Sequence, residues 1–204
     1  MKVRKNEIFK EVPKNPDCSK QYLFYLHGLI VELAGIRPKS EEHGYYEYEL
    51  ILEELAGAGF VVISEAREKD TQVKPYAGKV ASQIKTLLFH GVPPEQITIV
   101  GASKGGAITA YISNLLQERR INYVFLAGLF EKYLVYNELK LYGNVLSIHD
   151  QSDTFGITPQ LYFERSAGLG KFEAVILDHN KGHGIIYKPY REWFDVMLKW
   201  LQQE

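Results

Sequence analysis

The chain has 204 residues, of which 46% are hydrophobic and 24% charged, and at this length folding buries roughly 70% of the surface the unfolded chain exposes, so a core needs no disulfide or metal to hold it. A net charge of −1 excludes the broad positive field by which proteins gather nucleic acid or anionic lipid. Cys18 is the single cysteine, which rules out an intrachain disulfide and a cysteine-built metal cluster.

Residues 1–20 are polar, with an alternating segment Ile8 to Val12 that fits an edge strand or an arm, then a loop at Pro13 to Asp17. They hold no apolar core of signal-peptide length, and no run anywhere reaches the roughly 18 apolar residues of a membrane helix. A cytoplasmic protein without membrane partners is expected. Gln21 to Leu26 is almost entirely apolar, as in a strand covered on both faces, and His27-Gly28 follows it. After a polar loop through Arg37 to Glu42, Tyr45 to Ala56 has helical periodicity and is closed by Gly57 and Gly59. Phe60 to Ser64 reads as a second buried strand, Arg67 to Gln72 as a charged loop, and Val80 to Phe89 as a helix ending at Gly91. Ile97 to Val100, Tyr123 to Leu126, Asn144 to Ile148 and Glu173 to Leu177 are further strands, and Tyr190 to Leu201 is a last amphipathic helix. Buried strands alternating with helices predict one α/β domain over residues 1–204, doubly wound, with a mostly parallel sheet and helices on both faces.

The stretch Gly101-Ala102-Ser103-Lys104-Gly105 fits G-x-S-x-G. At ordinary Gly and Ser frequencies three fixed positions recur by chance in about one chain of this length in fifteen, so the pentapeptide alone decides little. Its context decides more. A β-branched strand precedes it and a helical run from Ala107 to Glu118 follows, which is what a serine nucleophile at a sharp strand-to-helix turn requires. The glycines relieve crowding around the serine, and the first N–H groups of the helix face any oxyanion formed there.

With these residues in place the chain resembles the α/β-hydrolase family, and the resemblance covers nearly its whole length. It rests on a strand ending in His27-Gly28, the Gly101 to Gly105 turn followed by Gly106, an acid in His149-Asp150-Gln151-Ser152-Asp153, and Gly182-His183-Gly184. The order nucleophile, acid, histidine is the family's own. The resemblance implies a triad of Ser103, His183 and Asp153, with the backbone N–H groups of Leu29 and Lys104 as an oxyanion hole. Asp150 and Glu131 also follow strand ends and are alternative acids; the family pattern commonly has a glycine where Asp150 stands. His179 is a rival to His183, and His27 is expected to hold the oxyanion loop in place through hydrogen bonds. The Lys104 side chain is either a solvated helix-start lysine or a contact for an anionic substrate.

The function implied is a cofactor-independent serine hydrolase that cleaves a small carboxylic ester through an acyl-enzyme. A thioesterase, a small-acyl amidase and a non-catalytic binding protein of the same fold are the alternatives. The partner is a small acyl substrate, and no metal constellation stands out. The sequence leaves the oligomeric state open. The connection between the strands at Tyr123 and Asn144 is too short for a large lid, although its aromatics, Leu129 to Tyr136, fit either an acyl pocket or a packed helix face.

Overall fold

The computed structural model describes residues 7–128, 139–155, 160, 163–164, 166 and 168–202. Seven strands form one sheet in the order β1-β5-β2-β6-β7-β8-β9, and every pairing in it is parallel. They are β1 (Ile8–Phe9), β2 (Tyr22–Leu26), β5 (Val61–Ile63), β6 (Ile97–Ala102), β7 (Asn122–Leu126), β8 (Tyr142–Asp150) and β9 (Gly168–Leu177). A two-stranded hairpin, β3 (Lys39–Ser40) with β4 (Gly44–Tyr45), stands apart from the sheet. The helices are α1 (Leu29–Ala34), α2 (Tyr48–Gly57), α3 (Val73–Phe89), α4 (Lys104–Leu116) and α5 (Arg191–Leu201).

Alternation along each strand sorts the apolar side chains into two layers. Leu23, Tyr25, Val100, Val124 and Leu146 share a cluster with α2 and α5, through residues such as Ile51, Leu55, Trp193 and Met197. Tyr22, Phe24, Ile99, Tyr123 and Val145 cluster instead with Ala77, Ile84, Ile108 and Ile112 of α3 and α4. Both faces of the central strands are therefore covered, so the doubly wound parallel sheet is present as expected. Each fully buried Leu, Ile or Phe contributes about 1.5–3 kcal/mol, and the central strands β2 and β6 are buried along their whole length.

Several boundaries differ from the sequence reading, each for a physical reason. Helix α3 starts at Val73 rather than Val80, because its first two turns bury only Ala77 and so lack a readable apolar stripe; Pro75 is tolerated there because first-turn N–H groups have no helical partner. Helix α1 occupies a stretch to which the sequence assigned no element, β3 falls in the expected loop, and β4 takes Tyr45 from the expected helix, which begins at Tyr48. Strand β9 is the edge of the sheet and is largely solvent-facing, with Ile176 61% exposed, so an apolar run proves a poor guide to burial at an edge. Glu131 and the Leu129 to Tyr136 segment lie outside the described residues. Among the described residues no helix is long and apolar enough to cross a membrane.

The strand order also places the site. From β2 the chain moves to β5 on one side, whereas from β6, the strand beside β2 on the other side, it moves outward to β7. Loops leaving neighbouring strands in opposite directions open a crevice at their C-terminal ends. The pairing of Leu26 with Gly101 puts His27-Gly28 and Ser103 side by side at that crevice.

Candidate active site

Ser103 stands between β6 and α4 with φ 51° and ψ −117°, a left-handed backbone in a non-glycine residue, which costs about 1–3 kcal/mol and persists only where surroundings enforce it. The enforcement is visible. The Ser103 N–H donates to Leu126 O at 3.1 Å, and Ser103 O accepts from Gly106 N–H at 2.8 Å. The flanking glycines are there for close approach: a Cβ on Gly101 would lie 2.3 Å from Thr109 Oγ1, and one on Gly105 would lie 1.9 Å from Leu26 O. Gly105→Ala should therefore push α4 off β2 and cost about 3 kcal/mol or more in urea unfolding. Near-native stability of that variant would show that the turn yields more easily than this packing implies.

His183 lies in a 3₁₀ turn, Gly182–Ile186, that follows β9. Its Nε2 is 2.9 Å from Ser103 Oγ and its Nδ1 is 2.9 Å from Asp153 Oδ2. The ionised carboxylate only accepts, so Nδ1 carries the proton and Nε2 is free to accept from the serine hydroxyl. The side chains are 15% exposed for His183 and 2% for Asp153. Asp153 Oδ1 accepts from Phe155 N–H at 3.0 Å, and the Phe155 ring lies 4.7 Å from the imidazole. The sequence-predicted Ser103, His183 and Asp153 thus meet in one hydrogen-bonded chain, while His179 is exposed at the surface.

Asp150 does something else. It is fully buried at the end of β8, and its carboxylate accepts from Ser152 N–H and Oγ–H (3.0 and 2.5 Å), His179 N–H (3.2 Å) and Gly182 N–H (3.3 Å). Burial alone pushes the carboxyl up, but the hydrogen bonds from Ser152 and the neighbouring backbone outweigh it and bring it down to about 2. It ties the loop that carries Asp153 to the loop that carries His183. A carboxylate where the family pattern has glycine was the only signal of this role in the sequence.

On the other side of Ser103 lies Gly28, where a Cβ would be in ordinary contact with Ser103 Cβ at 3.6 Å. His27 is buried, accepts from Arg67 N–H at Nε2 (2.8 Å) and donates from Nδ1 to Gly28 O (2.8 Å). Burial, followed by the Arg67 charge, holds its imidazole down at about 3, so it stays neutral near pH 7 and fixes the Gly28 carbonyl. Leu29 and Lys104 both line the cleft beside Ser103, and each is the first residue of a helix, where backbone N–H groups lack helical acceptors. The cleft holds about 400 Å³ and is walled chiefly by Leu29, Ile30, Leu33, Phe155, Ile186 and Tyr187. The Lys104 side chain departs from both readings of it, since its ammonium is held by Glu32 Oε2 (2.5 Å) and Thr71 O (2.7 Å). Glu32 and Arg67 lay in stretches with no local motif, and only the fold brings them together.

No family model matches the sequence, and no curated protein matches it. The fold, however, is similar to several solved structures. A sugar hydrolase (YeeB) from Lactococcus lactis aligns over 94% of this chain and 91% of its own, with a TM-score of 0.60 at 12% identity. MGS-M1, an α/β hydrolase enzyme from a Medee basin deep-sea metagenome library, aligns over 94% and 88%, with a TM-score of 0.57 at 16% identity. Esterase B from Lactobacillus rhamnosis, in a structure with a C4 phosphonate inhibitor, aligns over 94% and 77%, with a TM-score of 0.60 at 12% identity. Together with the parallel sheet and the serine at the turn after β6, these likenesses identify the chain as having the α/β-hydrolase fold.

Proposed function

We propose that the protein is a serine hydrolase that cleaves small, uncharged carboxylic esters through an acyl-enzyme. The observation that carries this reading is the continuous run of hydrogen bonds from Ser103 Oγ through His183 to Asp153. Ser103 attacks the carbonyl carbon while His183 Nε2 takes its proton, and Asp153 steadies the imidazolium. The oxyanion accepts from the N–H groups of Leu29 and Lys104. Collapse returns the proton from His183 to the leaving alkoxide, and water then hydrolyses the acyl-serine by the same transfers in the opposite sense. Two further considerations support an ester: similar structures include proteins described as esterases, and the apolar cleft walls suit an acyl chain.

The substrate should be short and neutral. Residues 127–141 connect β7 to β8, about the length of one crossover and well short of an inserted lid. The Lys104 ammonium is held by Glu32 and the Thr71 carbonyl, so an anionic acyl group would have to displace those contacts to reach it. Among acetyl, butyryl, octanoyl and palmitoyl p-nitrophenyl esters, the shorter two should be preferred, with no jump in rate above the solubility limit. A palmitoyl optimum with interfacial activation would overturn this part of the reading. Since His183 accepts a proton only when neutral, kcat/KM should also fall in acid that protonates it. A rate that does not fall in acid while the protein stays folded would remove histidine from the rate-limiting step.

A further inference from the structure

Helix α1 is held in an unusual way for so short an element. Of its six residues only Val31 and Glu32 are buried, while Leu29 and Leu33 are 43% and 57% exposed. Its anchorage is therefore largely the Glu32 carboxylate, whose side chain is 0% exposed. That carboxylate accepts from two cations, Arg67 Nε at 2.6 Å and Lys104 Nζ at 2.5 Å. The Arg67 side chain, also 0% exposed, donates to His27 O as well. The cluster thus grips the chain on both sides of Leu29, at His27 before it and at Glu32 after it. Its remaining arm is Lys104, the residue that follows the nucleophile.

A buried ion pair gives little net stability over apolar side chains of the same volume, because desolvation offsets most of the attraction. What it supplies is a fixed distance and direction between the elements it joins. Here those elements carry the two backbone N–H groups that would bind the oxyanion, one on Leu29 and one on Lys104 itself. Donors of this kind act only when set to within a few tenths of an ångström of the developing charge, and a misplacement of about 1 Å is worth up to about 100-fold in rate.

We propose that Lys104 and Glu32 are positioning residues, and that the contact between their side chains spans the oxyanion hole and sets the separation of its two N–H donors. The proposal rests on the serine-hydrolase reading above. It gives the Lys104 side chain a task that neither solvent exposure nor substrate contact accounts for. Neither ion touches the reacting atoms, so the effect is confined to transition-state binding.

The test is a cycle of Lys104→Met, Glu32→Gln and the double variant in the full chain. Lys104→Met is the informative single change, because it leaves Glu32 paired with Arg67. It should lower kcat about 10- to 100-fold while KM stays within about threefold, as expected for an interaction realised only in the transition state. The inhibition constant of a butyl trifluoromethyl ketone, which forms a tetrahedral oxyanion on Ser103, should rise by the same factor as kcat/KM falls. The double variant should be no slower than the slower single variant, since both changes break one contact. Turnover of Lys104→Met within about threefold of wild type, or additive losses in the cycle, would overturn the proposal. If Lys104→Met does not fold, Lys104→Arg carries the same readouts, and its ketone inhibition constant must track kcat/KM rather than KM. Wild-type protein that neither reacts with a fluorophosphonate at Ser103 nor turns over any ester overturns the hydrolase reading, and this proposal with it. A reactive wild type with unaffected variants overturns this proposal alone.

Discussion

Replacing Ser103 with alanine should lower kcat by about 10⁴- to 10⁶-fold, and replacing His183 in the same molecule should cost little more. Oγ and Nε2 stand 2.9 Å apart and take part in one proton transfer, so either loss removes the whole step. What remains is the acceleration from substrate binding and the oxyanion donors, which neither substitution touches. Steady-state kinetics of Ser103→Ala, His183→Ala and the pair would show it as losses that fail to multiply. Fluorophosphonate labelling supplies the companion measurement: wild-type protein should be modified at Ser103 and the alanine variant should not. Near-native turnover in either single variant would remove the triad, and unlabelled wild-type protein would favour a binding module built on the same fold.

Asp153→Asn should lower kcat by up to about 10⁴-fold with the melting temperature almost unchanged. An amide nitrogen facing Nδ1 favours the tautomer that presents N–H to Ser103, and that form cannot take the serine proton. The turn itself survives, because an amide oxygen can still accept from Phe155 N–H. Asp150→Asn should behave in the opposite sense. Its two oxygens serve the N–H groups of Ser152, His179 and Gly182, so an amide nitrogen there would oppose donors and cost about 1–3 kcal/mol of stability. Activity should fall less than in Asp153→Asn, because the His183–Asp153 contact is only loosened. The pH dependence follows with its sign. A carboxyl held down at about 2 stabilises the fold above the ordinary carboxylate range, and that stability is lost as pH falls towards 2. Asp150→Asn should remove this part of the acid lability. A larger kcat loss in Asp150→Asn than in Asp153→Asn would move the acid to Asp150, and two mild variants would point to Glu131, outside the described residues.

The residues that carry the proposed chemistry were legible because their signals are local. Ser103 sits in a pentapeptide whose glycines are required because a Cβ on either would come within 1.9 to 2.3 Å of a neighbouring atom, and His183 sits between two glycines after the last strand. Asp153 was the acid implied by the family resemblance, but what Asp150 does instead was not legible, because Asp153, Asp150 and Glu131 all follow strand ends and a carboxylate's role depends on which donors reach it. Helix α1 escaped notice because its apolar anchors, Val31 with the half-buried Ile30, leave no periodic stripe, and its other anchor is a glutamate that normally signals solvent.

The sequence by itself determined the layered sheet and the strand-to-turn-to-helix setting of Ser103, since both follow from side-chain periodicity or from glycine sterics within about ten residues, and its resemblance to the α/β-hydrolase family implied the order Ser103, Asp153, His183. The tertiary structure alone decided which carboxylate meets His183, what Asp150 holds together, and that the Lys104 ammonium is held by Glu32 and the Thr71 carbonyl. Those outcomes depend on pairings between residues 29 to 72 positions apart, and the energy of a buried charge is set by the partners that the fold brings within about 3 Å, which no single stretch of chain contains.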